Sequence, residues 1–313
     1  MPEETHWLNS RLWARLSVPR DASGLSFGRV ARGLVRRVLG HIHFCLLSLH
    51  NYLARRPLTD PDSPVIVSLT THGKRIGAVY AAVESIGLGD ERPQRIILWV
   101  DQKLLEAGLP PSLQRLGRRG LEIVGTQDYG PHTKYWPFVS TSVPGTGPLV
   151  IADDDTMYPR YWLSLLTLSY RCHPEDIHCY RARTVRFAGT RLAPWSDWGW
   201  CSSPSASILN LATGVSGVLY PAHVLDALRV AGKEFEARAT INDDIWLHSV
   251  AVRSGTKTRQ LGSSPIHFAI VPGSQRKTLM SLNIGQNRND DQVATTYTQC
   301  EIEMLLEADW RLL

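Results

Sequence analysis

From residue 65 onward, short apolar and β-branched runs alternate with stretches whose apolar positions recur every three or four residues. Residues 65–69, 95–100, 121–124 and 149–152 read as four buried strands. Between the first two, Ile76, Val79, Tyr80, Val83 and Ile86 form a helical stripe that ends at Gly87. Strands separated by helical stripes predict βαβ units and a parallel sheet. Beyond residue 155 the pattern predicts a helix over 161–170, a strand over 178–183 and a long aromatic loop. A strand over 214–220 and helices over 222–230 and 243–252 follow.

The N-terminal pattern is different. Val35, Val38, Ile42, Cys45, Leu49 and Leu53 recur at helical spacing, with Arg32, Arg36 and Arg37 near the start and Arg55 and Arg56 at the end. This is a basic amphipathic helix, weakened by Gly33 and Gly40. Two roles are open: contact with anionic lipid, or packing on the domain or a second subunit. Pro57, Pro61 and Pro64 mark 57–64 as a linker. The expected organisation is therefore a basic arm over 1–56, the linker, an α/β domain over 65–270, and a lid and helix over 271–313.

Composition narrows the class. With 313 residues, 43% hydrophobic and 20% charged, the chain is a folded globular protein. The net charge of +5 is local: the six arginines between 29 and 56 face no acid, and without them the chain sums to −1. The domain thus offers no electrostatic case for nucleic acid. Five cysteines without metal-site spacing disfavour structural zinc and disulfides and suit a reducing cytosol. No secretory signal and no apolar run long enough to span a bilayer is seen, so the expected location is cytoplasmic, peripheral at the inner face of the plasma membrane.

The strand at 149–152 runs straight into Asp153, Asp154 and Asp155. Adjacent carboxylates repel and raise one another's pKa. A divalent cation relieves that repulsion, and oxygen ligands suit Mg²⁺ or Mn²⁺. The strand end is also where parallel sheets bind ligands. The plainer alternative is an acidic turn that caps the next helix.

An Asp-x-Asp cluster after a fourth strand, followed some ninety residues later by Asp243-Asp244 at a helix start, resembles a GT-A glycosyltransferase. Residues 67–76, 96–101 and 153–159 sharpen the likeness to bacterial family-2-like transferases of capsular and surface polysaccharide synthesis. The resemblance covers about residues 64 to 270. It implies a GT-A fold, a Rossmann-like mixed sheet flanked by helices, and transfer of a sugar from a nucleotide-sugar, a UDP-sugar first, to a glycan or lipid-linked acceptor.

The implied site follows residue by residue. Asp155 and His267 would hold Mn²⁺ or Mg²⁺, Asp153 would bind the metal or the ribose of the nucleotide, and Asp154 would orient the nucleotide from beside them. Thr70, Thr71, Arg75 and Asp101 would serve the nucleoside, and Lys134 a phosphate. Asp244 would take the acceptor's proton in an inverting displacement, with Asp243 positioning. Gly214, Trp195, Trp198 and Trp200 would lie against the sugars, and Arg276 and Lys277 would clamp the diphosphate. Each has a structural alternative: a cap for the threonines or acids, a solvated lysine, loop packing for the tryptophans.

Three rival functions remain at this level. A phosphatase with an Asp-x-Asp nucleophile is disfavoured by Met157 and by the three preceding strands. A nucleotidyltransferase would want more than the single glycine of Thr70-Thr-His-Gly-Lys-Arg75. A non-catalytic sugar-binding relative would not need both acid pairs.

Overall fold

The computed structural model describes residues 27–274 and 288–310. A long helix, α1 (Phe27–Leu53), precedes the α/β unit: β1 (Ile66–Thr70), α2 (Tyr80–Gly87), β2 (Arg95–Asp101), α3 (Pro111–Gly117), β3 (Leu121–Thr126), α4 (Trp136–Thr141) and β4 (Leu149–Ala152). Then follow β5 (Thr156–Met157), α5 (Trp162–Cys172), β6 (Ile177–Cys179), β7 (Ala182–Thr184), β8 (Asn210–Ala212) and β9 (Val218–Tyr220). The described chain ends with α6 (Ala222–Ala231), α7 (Asp243–Arg253), β10 (Thr258–Gln260), β11 (Ala269–Ile270), α8 (Arg288–Thr296) and α9 (Gln299–Trp310).

Seven strands form one sheet in the order β3-β2-β1-β4-β9-β6-β10, and only β9 runs against the rest. This is the mixed, Rossmann-like sheet expected. Alternate strand residues enter opposite layers. Val67 and Leu69 of β1 pack with α2 and α5, whereas Ile66 and Ile151 face α4, α6 and α7. Burial on both faces explains why these strands read as continuous apolar runs.

Several boundaries shift for local reasons. The predicted strand over 214–220 shortens to β9 because Ser216 and Gly217 have φ of 75° and 95°. A Cβ at Gly217 would lie 2.7 Å from the Trp162 ring. The stripe over 76–86 divides into a 3-10 turn (Gly73–Gly77) and α2. Residues 178–183 divide between β6 and β7, which pair in different sheets.

Residues 57–64, read as a linker, lie against the domain: Leu58 is fully buried in the core, and Arg92 donates to the carbonyls of Pro57 and Thr59. The described positions of the α1 stripe, Val38, Ile42, Cys45, Leu49 and Leu53, are exposed and do not pack on the domain. A different face does so, through Leu47, which meets Ala81, Met157 and Val271, and through Asn51, which donates to buried Glu84. Glu84 also receives Arg119 and His50. Of the arm, residues 1–26 lie outside the described residues, as do Arg276 and Lys277 of the expected clamp. Downstream, α8 and α9 brace α7: His248 bonds Tyr297 and Arg253 pairs with Glu301.

Candidate functional site

Strand order changes direction between β1 and β4, so their C-terminal ends flank the crevice where parallel sheets receive ligands. Leu69 pairs with Ala152. That register sets residues 70–71 beside residues 153–155. Thr71 donates to Asp154 Oδ2 at 2.7 Å, and Arg75 donates to Asp154 Oδ1 at 2.9 Å and lies 3.6 Å from Asp155. Burial works against the Arg75 charge, but Asp154 and Asp155 outweigh it and raise its pKa.

The second wall comes from α7. Asn242 caps this helix, its side chain accepting from the Ile245 N–H at 3.3 Å. The capping duty therefore does not fall on Asp243 or Asp244. Gln292 of α8 accepts from the N–H groups of Ile241 and Asn242 and fixes the turn before them. Asp244 Oδ1 accepts from the Gly214 N–H at 2.8 Å. A Cβ at Gly214 would sit 3.2 Å from Lys134 Nζ and 3.3 Å from Asp244 Oδ1, so a larger residue would crowd both groups.

Lys134 joins the two walls. Its Nζ lies 3.4 Å from Asp153 Oδ1 and 3.2 Å from Asp243 Oδ2. Burial opposes the ammonium, yet Asp243, Asp153 and Asp244 hold it charged and push its pKa up. Asp244 is driven up to about 7, first by loss of water and then by Asp243, with Lys134 opposing. Desolvation also raises Asp153, against Lys134. Five carboxylates thus share two cations, leaving a surplus of three negative charges if all ionise.

Other expected residues are placed less favourably. The Thr70 hydroxyl donates to the Trp99 carbonyl and the Thr71 hydroxyl to Asp154, so both are committed within the protein. Asp101 caps the short helix Gln102–Glu106 by accepting from the Lys103 N–H at 2.7 Å. Trp198 is buried in a satellite core, its indole N–H donating to the Ala193 carbonyl, so its ring is closed to a sugar. Trp195 packs on Trp198. Trp200 is exposed, but Arg181 and Arg183 lie over its ring at 4.1 and 4.3 Å. His267 is exposed, and the Val271 N–H donates to the Asp155 carbonyl at 2.7 Å.

The donor chemistry suits a hard divalent cation, yet no three metal-type ligands are gathered among the described residues. A Mg²⁺-type ion needs only one or two carboxylates when substrate phosphates and waters complete its shell. The acids at the β4 exit fit that requirement.

Sequence reasoning missed Tyr158, whose buried hydroxyl accepts from the Asp153 N–H at 2.7 Å and fixes the first acid. Its place within the acidic motif was visible, but nothing in the spacing marked that role. The cap of α7 was missed as well: the sequence offered that duty to Asp243 and Asp244, whereas Asn242 performs it.

No protein-family model matches this chain, and no curated protein matches it. Among solved structures, a mannosyltransferase from Pyrobaculum calidifontis with GDP-Man and Mn²⁺ is 12% identical. That alignment covers 90% of this chain and 80% of that one, with a TM-score of 0.48. TarS from S. aureus in complex with UDP is 13% identical over 65% of this chain and 59% of that one, at 0.42. A 4-diphosphocytidyl-2C-methyl-D-erythritol synthase from Anaerococcus prevotii is 10% identical over 73% and 97%, at 0.44. These are partial likenesses of chain path.

Proposed function

We propose that the chain is a GT-A glycosyltransferase that moves a sugar from a nucleoside-diphosphate donor to an acceptor hydroxyl. One observation carries this reading: Lys134 touches both Asp153 and Asp243, so acid pairs ninety residues apart converge on one cation in the crevice.

In this reading Lys134 supplies a fixed positive charge to the diphosphate, and Arg75 keeps Asp154 and Asp155 in place at the strand exit. Asp244, with Oδ1 held by Gly214, takes the acceptor's proton on Oδ2 while the hydroxyl oxygen bonds to the anomeric carbon. The bond from that carbon to the diphosphate breaks in the same displacement. A carboxyl poised at about 7 suits a base at neutral pH. Asp243 stays paired with Lys134 and positions the acceptor wall. Asp155 and Asp153 would hold Mg²⁺ or Mn²⁺, which when bound neutralises charge developing on the departing diphosphate.

The donor is proposed as a UDP-sugar and the acceptor as a glycan or lipid-linked glycan, with exposed Trp200 as its proposed contact. No helix among the described residues is long and apolar enough to cross a membrane. The test is calorimetric titration of a nucleoside-diphosphate panel with and without Mn²⁺, on wild type and Asp155→Ala. Metal-dependent binding of one nucleotide, lost in the variant, is expected. Absence of binding to any nucleotide would sink the reading.

A further inference from the structure

Helix α1 turns its apolar stripe away from the protein. Val38, Leu39, Ile42, Leu46, Leu49 and Leu53 are 50–61% exposed, while Leu47 on the opposite side is 1% exposed. At 3.6 residues per turn the exposed set spans an arc of about 100°. Singly scattered surface leucines are ordinary, but a continuous stripe along one helix marks an interaction site.

Charge selects the occupant. The segment 27–56 contains six arginines and neither aspartate nor glutamate. Arg37 stands beside the stripe, and Arg55 and Arg56 lie at its end, all exposed. A second copy of α1, parallel or antiparallel, would bring arginines onto arginines. Residues 1–26 carry three acids and three arginines, so they offer this rim no net complementary charge. An anionic lipid surface answers both features, with leucines in the acyl boundary and guanidiniums among phosphates.

We propose that the outward face of α1 docks the protein on an anionic bilayer, with the helix lying in the plane of the interface. The inference stands independently of the transferase reading. Its geometry bears on that reading, however. Leu47, on the inward side, packs against Met157 and Val271, and the Val271 N–H bonds the Asp155 carbonyl. One helix thickness, about 10 Å, therefore separates the docking face from the strand pair behind the acids. A lipid-linked acceptor is the substrate class this placement favours.

The test is flotation of the full-length chain with vesicles of phosphatidylcholine alone or mixed with phosphatidylglycerol. Wild type is expected to float only with the anionic vesicles, less so as salt rises. The L46E/L49E variant should lower the floating fraction by roughly tenfold or more while melting temperature and nucleotide binding stay unchanged. Three results would overturn the proposal: wild type that never floats, flotation that L46E/L49E leaves intact, or a sedimentation dimer that L46E/L49E converts to monomer. The last would assign the face to a second copy. Loss of nucleotide binding in wild type would strike the transferase reading alone.

Discussion

At the mouth of the β1–β4 crevice, acids crowd together, and Asp153, Asp154, Asp243 and Asp244 each have a partner inside the protein. On the outer face of α1, leucines stand in water with arginines at their margin. Both depart from an ordinary surface, in opposite senses. The crevice concentrates charge that only a cation or a charged substrate relieves. The helix face presents apolar area that only a partner or a bilayer covers. Each carries a stability burden the fold does not require, which is how functional surfaces separate from structural ones.

Replacing Asp244 with Asn attacks the crevice at its base. A fall in kcat of about 10²–10⁴ is expected, with donor affinity retained. The Asn carbonyl can still accept from Gly214, and a repulsion with Asp243 disappears, so the melting temperature should hold or rise. A large drop in melting temperature would instead mark Asp244 as structural.

Next comes the attachment of the helix face to the domain. Glu84 is fully buried and receives Arg119, Asn51 and His50. Glu84→Gln leaves the buried Arg119 without its counter-charge, and roughly 3–5 kcal/mol of stability should be lost in denaturant melts. A neutral result would show that the other contacts, Leu47 in the core, Ser48 with Tyr80 and Asn51 with Ser112 and Arg115, hold α1 without that charge.

Acid tests the frame that supports both regions. Burial holds His178 and His248 neutral, with pKa values lowered from 6.5 to about 4. Between those values the unfolded chain binds more protons than the folded one. Stability is therefore full above pH 6.5 and falls progressively as pH drops toward 4, by about 3 kcal/mol for each histidine. Flat stability across that window would refute it.

The four strands at 66–70, 95–101, 121–126 and 149–152 were legible because burial on both faces imposes continuous apolar runs. The acids at 153–155 and 243–244 were legible because like charges in sequence have few structural uses. The thresholds of the site were not. Asp101 and Thr70 carry the right chemistry for a nucleoside, yet backbone groups claim both, the nearby Lys103 N–H for Asp101 and the Trp99 carbonyl on the neighbouring strand for Thr70. Trp198 looked like its neighbours in the aromatic loop, but only the packed satellite core reveals which ring is inside.

The sequence by itself determined the strand and helix periods, the two acid pairs, and the amphipathic, acid-free character of the N-terminal helix, since each is a property of residues near one another along the chain. Only tertiary structure decided that Lys134 bridges those pairs, that Tyr158 and Asn242 hold them, and which side of α1 faces out. These depend on strand register and helix packing between segments tens of residues apart. A local pattern can state that a helix has an apolar stripe, but only its neighbours determine whether that stripe is covered.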